Sequence, residues 1–345
     1  MRNLFLLFLI LVSAGAVFGQ KTFEVQDFSD DFYGKVYLED PSEVFSKGWV
    51  AIYEKKTNRQ LIKVDSEELS HDTDEDKIKV NVKELPYGEQ SLIMYEDFNF
   101  DSIKDFAIMD GQNSCYHGHS YQIYLGGKVK NTFVLSPAFT LLAQEYCGMF
   151  DIDREKKTIS TMTKSGCCWH QFSQFIVVGN APKPVKIVEE DATKFPLIIV
   201  STENWNGKKM VKTTARTLDL NEENPVKVLF SFKTQTGSKE IVLLRSEDVL
   251  YYVFINEKQN VEFAYPTDSE DENPTFTLES KGNQTTLVFT NKGATYKIYE
   301  TENEKIGVQV DAGGKSSDIL GNLTTRKGSL RQLTSENLSN VTVKK

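Results

Sequence analysis

The chain has 345 residues, 49 of them Asp or Glu and 40 Lys or Arg, and a formal charge of −9. This acidic balance argues against nucleic-acid binding, because nucleic-acid-binding domains are usually basic. It favours a basic protein partner, because opposite charges speed encounter. The length suits about two domains, each large enough to bury its own core.

The first 19 residues predict export. Arg2 precedes an apolar run from Leu4 to Val12, and compact residues stand before Gln20. This order is typical of a cleaved secretory signal peptide, and the run is shorter than the roughly 20 apolar residues that span a membrane. We therefore expect a periplasmic or secreted mature chain with no membrane span after cleavage. Loss of Arg2 with the signal peptide changes the charge from −9 to −10.

Short runs rich in β-branched and aromatic residues recur along the whole chain and predict strands. The clearest lie at residues 35–38, 49–53, 78–82, 120–125, 172–178, 226–232, 250–255, 286–290 and 295–300. Turn-forming residues separate many of them. Helical periodicity is nearly absent, and the best short helix is predicted at residues 137–146, with Pro137 in its first turn. The pattern predicts a mostly β protein.

Residues 97–105 have the ligand spacing of a calcium loop. Side-chain oxygens stand at positions 1, 3, 5 and 9 of this segment, on Asp97, Asn99, Asp101 and Asp105. A backbone carbonyl stands at position 7, on Ile103. Ser102 stands at position 6, where Gly is usual but where Ser can adopt the turn at some cost. The apolar flanks read as strands, which predicts a strand–loop–strand Ca²⁺ site. A solvated acidic turn is the alternative.

Four cysteines in an exported chain favour disulfides, although four cysteines allow three pairings. We favour a Cys115–Cys147 bond, with Cys167 and Cys168 either bonded to each other or left as buried thiols. Separate bonds from the adjacent pair to Cys115 and Cys147 are the alternative.

A zinc site is a further alternative, because residues two apart share a face of a strand and Cys and His are zinc ligands. Its ligands would be Cys115, His117 and His119, and His170 with Cys167 or Cys168 could contribute from elsewhere in the chain. An oxidising compartment, however, favours disulfides over zinc thiolates. Common nucleophile, metalloprotease, phosphate-loop and dinucleotide motifs are absent from the sequence, and we expect a protein that is not an enzyme.

Five motifs occur in one order between residues 97 and 170. They are Asp97-Phe-Asn-Phe-Asp101, Asp105-Phe-Ala-Ile, Tyr116-His-Gly-His-Ser-Tyr121, Gly148-Met-Phe150 and Ser165-Gly-Cys-Cys-Trp-His170. This order resembles a family of bacterial periplasmic proteins related to the invertebrate-type lysozyme inhibitors, which includes an immunity protein against a secreted peptidoglycan hydrolase. The resemblance covers residues 20–215. It implies an incomplete β-propeller-like fold with a calcium loop.

The resemblance also implies a partner-binding loop just after the calcium loop, where family members insert a Ser-Gly-x-Tyr motif into the hydrolase cleft. The matching stretch is Asn113-Ser114-Cys115-Tyr116, which keeps the Tyr and changes the Ser and Gly positions. The candidate partner-binding residues are Asn113, Ser114, Tyr116, His117, His119 and Tyr121. A surface loop pinned by Cys115 is the alternative.

Polar stretches at 206–209 and 221–225 favour a domain boundary between them. We predict a signal peptide at 1–19, an incomplete β-propeller-like calcium-loop domain at 20–215, and a smaller antiparallel β domain of unknown role at 216–345. The expected function is that of a secreted, calcium-stabilised binding protein, an inhibitor of or immunity protein against a basic lysozyme-like peptidoglycan hydrolase. A structural or adhesive cell-surface β module is the alternative.

Overall fold

The computed structural model describes residues 20–70, 73–74, 77–85, 88–219, 226–266, 275–302 and 305–344. The predicted signal peptide at 1–19 lies outside these residues. Within them, β-strands are accompanied by one short α-helix and three 3₁₀ turns, which confirms the predicted mostly β fold. No helix among them is long and apolar enough to cross a membrane.

The chain divides into two compact units. The first runs to Thr163 and includes Phe172–Val185, and the second comprises Lys164–Gln171 and Lys186–Lys345.

The first unit begins with a four-stranded antiparallel sheet in which each strand pairs with the next. Its strands are β1 Lys21–Val25, β2 Phe32–Leu38, β3 Ser46–Glu54 and β4 Gln60–Leu69. Every second residue of β2 is buried, because successive side chains of a strand point to opposite faces. A hairpin of β5 Thr73–Asp74 and β6 Lys77–Ile78 follows.

A second four-stranded sheet carries the candidate functional residues. Its strands are β7 Ile93–Glu96, β8 Asp105–Ser114, β9 Gly118–Gly126 and β10 Phe133–Leu135, in the order β10-β9-β8-β7. Four-stranded antiparallel sheets of this kind are the units of β-propellers. The predicted short helix follows as α1 Pro137–Leu142, with Pro in its first turn, and ends before residue 146.

One cluster of buried side chains joins both sheets and α1 in the first unit. Phe106, on β8, is fully buried and makes ring contacts with Phe28, Phe32 and Phe133 at centroid distances of 5.9, 5.7 and 4.8 Å. Aromatic rings contribute much of the apolar area that drives packing. These contacts hold β8 against the first sheet.

A six-stranded sheet follows, with its strands in chain order. They are β11 Asp151–Asp153, β12 Thr158–Ser165, β13 Trp169–Val178, β14 Ala181–Lys194, β15 Leu197–Trp205 and β16 Met210–Leu218. The polar residues 206–209 form the turn between β15 and β16, closed by a 3.1 Å hydrogen bond from Asn206 N–H to the Lys209 carbonyl. Residue 215, where the sequence places a boundary, lies within β16 of the second unit.

The second unit contains two further sheets, ordered β20-β19-β18-β17-β26 and β25-β24-β23-β22-β21-β27. Their strands are β17 Val226–Lys233, β18 Glu240–Ser246, β19 Val249–Ile255, β20 Val261–Tyr265, β21 Phe276–Lys281, β22 Gln284–Asn291, β23 Ala294–Thr301, β24 Ile306–Ala312, β25 Lys315–Leu320, β26 Lys327–Gly328 and β27 Val341–Lys344. The β21–β27 pair is parallel, and the neighbouring hairpins are antiparallel. Phe230, Phe276 and Phe289 belong to the main core of this unit.

Candidate functional site

The predicted cation loop connects β7 to β8 and is closed by the pairing of Glu96 with Asp105. Both flanks are strands, as the sequence predicts. Phe98 is fully buried, and its ring packs edge-on against Phe150 with 5.5 Å between centroids. Burial of this ring anchors the loop to the core of the first unit.

Asp97, Asn99 and Asp101 direct side-chain oxygens toward the backbone of their own loop. The carboxylate of Asp97 accepts hydrogen bonds from the N–H groups of Asp101 at 3.2 Å and Ser102 at 2.8 Å. Asp101 accepts from Ile103 N–H at 2.8 Å, and Asn99 Oδ1 accepts from Asp101 N–H at 3.2 Å. A carboxylate has about four acceptor sites, so these bonds leave acceptor capacity for a cation.

Two residues of the loop have a left-handed backbone conformation. Phe100 has a φ of 62° and Ser102 a φ of 71°. Few residues other than glycine adopt such angles. The sharp turn at the sixth loop position therefore forms with serine in place of glycine.

Asp105 is fully buried at the start of β8. Its carboxylate accepts hydrogen bonds from Phe98 N–H at 2.7 Å and Gly126 N–H at 2.8 Å. Burial raises the pKa of Asp105 to about 7 against the lowering effect of these two bonds, and the charges of Asp101 and Asp97 raise it further. A cation in the loop would stabilise the ionised form of this buried acid.

Two residues that contact the loop in the structure were not predicted from the sequence. A Cβ on Gly126 would lie 2.6 Å from Ile103 Cγ2 and 2.7 Å from the Lys104 carbonyl oxygen, so glycine permits the approach of β9. A glycine at a strand end is a recognised sign of such an approach. Asn180, in the β13–β14 turn, accepts a hydrogen bond from Asn99 Nδ2 at 3.4 Å. No local pattern connects these two asparagines, which lie 81 residues apart.

The loop supplies oxygen donors only, three carboxylates and one amide. In the part of the chain that the structure describes, no Lys or Arg forms an ion pair with Asp97, Asp101 or Asp105, and the Lys104 ammonium lies 5.0 Å from the centroid of the Tyr95 ring. Nor do three or more His, Cys, Asp or Glu side chains of that part lie close enough together to hold a metal ion as they stand. The donor chemistry fits a hard cation such as Ca²⁺.

The predicted partner-binding loop forms the tip of the β8–β9 hairpin, where a 3₁₀ turn at Cys115–His117 connects the strands. Tyr116 and His117 have φ angles of 54° and 60°, and Tyr116 is 62% exposed. The Cys115–Cys147 disulfide ties this tip to the segment after α1. Two successive left-handed residues are uncommon, and such strained positions cluster at ligand-binding sites.

His117 connects the tip to the first sheet. Its Nε2 lies 3.1 Å from Glu68 Oε2, and its ring packs edge-on against Phe45 with 5.4 Å between centroids. Phe45 is 44% exposed. A cavity of about 280 Å³ opens between Phe45, the tip and Cys147. Tyr116 at the tip and the neighbouring Phe45 therefore expose two aromatic rings beside an open cavity.

Three other predicted loop residues lie below the tip. Asn113 is exposed, and its amide donates a hydrogen bond to Ser120 Oγ at 3.2 Å. Ser114 is buried, and its Oγ accepts from Gly148 N–H at 3.1 Å. His119 is partly buried and lines the cavity. Ser114 and His119 therefore offer less surface to a partner than Asn113, which remains exposed.

Tyr121 lies in the core, contrary to its assignment to the partner-binding surface. It is fully buried, and its hydroxyl donates a hydrogen bond to the Ser91 carbonyl at 3.1 Å. Burial also raises its pKa well above the usual value. The reason is strand alternation, because Tyr121, Ile123 and Leu125 share the buried face of β9.

The disulfides settle the cysteine alternatives. The bonds are Cys115–Cys147 and Cys167–Cys168, which confirms the favoured first bond and selects the vicinal bond for the adjacent pair. The alternative zinc site has no thiolate ligand, because Cys115, Cys167 and Cys168 are all oxidised in disulfides. The other candidate ligands of that site were His117, His119 and His170.

Comparison with known proteins gives weak similarities. No protein-family model matches the chain, and no curated protein matches its sequence. A Xanthomonas protein related to the type IV secretion system is 16% identical with a TM-score of 0.45, over 55% of this chain and 92% of that one. Prolyl oligopeptidase B from Galerina marginata is 7% identical with a TM-score of 0.25, over 86% of this chain and 41% of that one. A PL25 ulvan lyase is 8% identical with a TM-score of 0.21, over 88% of this chain and 83% of that one. At these TM-scores no functional conclusion follows.

Proposed function

We propose that this chain is a secreted, calcium-stabilised recognition protein that binds a lysozyme-like peptidoglycan hydrolase, as its inhibitor or as an immunity protein. The observation that carries the proposal is the hairpin tip, where Tyr116 is 62% exposed in a left-handed conformation beside the Cys115–Cys147 bond. A tyrosine offers a large, rigid contact area and loses little side-chain entropy on binding. A cross-linked tip also lowers the ordering cost of association.

The partner class comes from the motif order between Asp97 and His170, which resembles that of the lysozyme-inhibitor-related family. A formal charge of −9 supports a basic partner, because opposite charges accelerate association. Two disulfides support an oxidising compartment, periplasmic or extracellular.

Calcium enters the proposal as a stabilising ion. Its ligands would be Asp97, Asn99, Asp101, Asp105 and the carbonyl of Ile103. When bound, the ion supplies the positive charge that offsets repulsion between the loop carboxylates. Asp105 also accepts the hydrogen bond from Gly126 that joins the base of the β8–β9 hairpin, so the ion would stabilise the hairpin that presents Tyr116.

The test is a titration of the mature chain against purified lysozyme-type hydrolases, with inhibition measured in parallel. For a hydrolase that binds the parent chain, Tyr116→Ala should weaken binding by about 2 kcal/mol, roughly 30-fold, if this ring anchors the interface. Phe172→Ala is the matched control, because Phe172 is another exposed aromatic residue, 45% exposed on β13. Its affinity should equal that of the parent.

Equal affinities for Tyr116→Ala and the parent would show that the binding surface lies elsewhere. Binding of no hydrolase in the panel would contradict the proposed partner class. That result would favour the structural or adhesive β module, in which the cation serves stability alone.

A further inference from the structure

The cavity beside the hairpin tip, here called the tip cavity, combines buried amides with an exposed aromatic rim. Its volume is about 280 Å³, and Phe45, Tyr116, Gln90 and Gln112 are among the residues that line it. The two aromatic side chains are exposed, whereas the two glutamines are buried. Small-molecule sites typically have this composition, with apolar walls and a few polar groups held inside.

The carboxamide of Gln112 has almost no protein partner. Gln112 is only 6% exposed. Within the part of the chain that the structure describes, the one hydrogen bond of its side chain is a 4.0 Å contact from Nε2 to Met109 Sδ. A thioether sulfur is a weak acceptor, and a carboxamide has two N–H donors and an acceptor oxygen. Buried polar groups in native proteins are nearly always hydrogen-bonded, so a ligand in the tip cavity would supply the missing partners.

Gln90 brings a second carboxamide to the same cavity. Its Oε1 accepts a hydrogen bond from Met149 N–H at 3.5 Å. Gly148 has a φ of 85°, and a Cβ there would lie 3.3 Å from Gln90 Nε2, so glycine leaves room for this amide. The Cys115–Cys147 bond joins the residue before Gly148 to the hairpin. The walls of the tip cavity are therefore cross-linked, which lowers the ordering cost of binding a ligand.

The lining favours a small neutral ligand. No described Asp, Glu, Lys or Arg lines the tip cavity, although the chain carries a formal charge of −9. Carboxamides offer hydrogen bonds to neutral hydroxyl and amide groups without adding a charge. The volume lies just below the range of roughly 300–1,000 Å³ that is usual for drug-sized ligands. The tip cavity therefore suits one compact polar unit.

We propose that the tip cavity binds a single N-acetylated amino-sugar residue. The acetamido group of such a sugar has an N–H donor and a carbonyl acceptor, which match the oxygen and the N–H groups of the Gln112 carboxamide. The apolar C–H face of the sugar ring packs on an aromatic ring, here Phe45 at the rim. This ligand is a glycan unit and not a protein, so the inference goes beyond the proposed function and does not depend on the hydrolase.

The test is an NMR titration of the isotope-labelled mature chain with methyl N-acetyl-β-glucosaminide. The comparison ligand is methyl β-glucoside, which has a hydroxyl group in place of the acetamido group. The N-acetylated sugar should shift the side-chain NH₂ signals of Gln112 and the backbone amide signal of Gly148 in a saturable way. The glucoside should bind on the order of tenfold more weakly, because it cannot match both the donor and the acceptor of the carboxamide.

Two variants test the two parts of the tip cavity separately. Gln112→Leu removes the carboxamide but keeps a side chain of similar size, and it should weaken binding on the order of tenfold. Phe45→Ala removes the exposed ring at the rim and should weaken binding several-fold. The matched controls should bind as the parent does. They are Gln122→Leu, which removes an amide of β9 outside the cavity, and Val44→Ala, at the exposed neighbour of Phe45.

Dispersed amide spectra would establish that each variant folds. If Gln112→Leu does not fold, Phe45→Ala and the pair of sugars still decide the question. The inference is overturned if the two sugars bind equally well, or if the N-acetylated sugar binds Phe45→Ala and a folded Gln112→Leu as tightly as it binds the parent. It is also overturned if neither sugar shifts the signals of Gln112 and Gly148. Water would then be the partner of the buried carboxamide.

Discussion

Calcium should stabilise the first unit, and the size of this effect can be calculated from a binding equilibrium. Asp97, Asp101 and Asp105 lie within nine residues and form no ion pair with a described lysine or arginine, so the free loop is destabilised by repulsion. A ligand that binds only the native state stabilises it by RT ln(1 + [L]/Kd). Extracellular calcium modules have a Kd on the order of 10⁻⁴ M. About 10 mM Ca²⁺ then contributes about 2.7 kcal/mol, or roughly 5–10 °C in Tm for a unit of this size.

Calorimetry of the mature chain would measure this shift in Ca²⁺ and in chelator, at equal ionic strength. Asp101→Ala should abolish it, because Asp101 is a proposed ligand that is exposed, so its truncation opens no cavity in the core. Asp27→Ala, at another exposed acid of the first unit, should keep the full shift. Hydrogen exchange of peptides covering residues 97–105 and 120–126 would locate the added protection at the loop and at the end of β9.

Identical melting curves in Ca²⁺ and in chelator would refute the cation site and leave the solvated acidic turn. A full shift in Asp101→Ala would also refute it, because the stabilising ion would then bind elsewhere. Added protection confined to residues outside the two peptides would lead to the same conclusion.

Two further predictions concern the supports of the hairpin. Gly126→Ala places a Cβ 2.7 Å from a loop carbonyl oxygen, and it should lower the free energy of unfolding by about 1–3 kcal/mol and reduce the calcium shift. Denaturant titration would measure this, with Gly237→Ala as the control, because the nearest atom to a Cβ at Gly237 is the side-chain oxygen of Thr234 at 3.3 Å and no backbone oxygen crowds it. An unchanged midpoint for Gly126→Ala would contradict the close approach. Replacing Cys115 and Cys147 together by serine opens a cross-link of sequence separation 32 and should cost about 3–4 kcal/mol by chain entropy. The Cys167–Cys168 bond closes almost no loop, so replacing both of these cysteines by serine should cost far less. Equal losses of stability in the two double variants would contradict the entropic account.

The features that the sequence predicts well are local. The ligand spacing at 97–105 and its apolar flanks lie within one short stretch, and the structure shows β7 and β8 on either side of it. Alternation of apolar residues likewise predicts strands such as β2. Pro137 marks the start of α1 because proline suits the first turn of a helix.

The features that the sequence does not predict depend on distant contacts. Phe45 and Glu68 meet His117 across the first unit, and no spacing rule connects them. Tyr121 belongs to a Tyr- and His-rich segment that reads as a recognition loop, but the pairing of β9 with β8 turns it to the core. Composition indicates a surface there, whereas the register of the sheet decides which side chains reach it.

The two candidate sites lie at opposite ends of one hairpin, which separates their roles. Asp105 is the first residue of β8 and Gly126 the last of β9, and their hydrogen bond at 2.8 Å joins the base. Tyr116 lies at the tip, beyond the ten residues of β8, roughly 30 Å away at the rise of a strand. An ion at the base therefore makes no contact with a partner at the tip. Its effect on recognition must come from the order it gives the hairpin, so loss of the ion should raise the entropic cost of binding while leaving the contacts of Tyr116 unchanged.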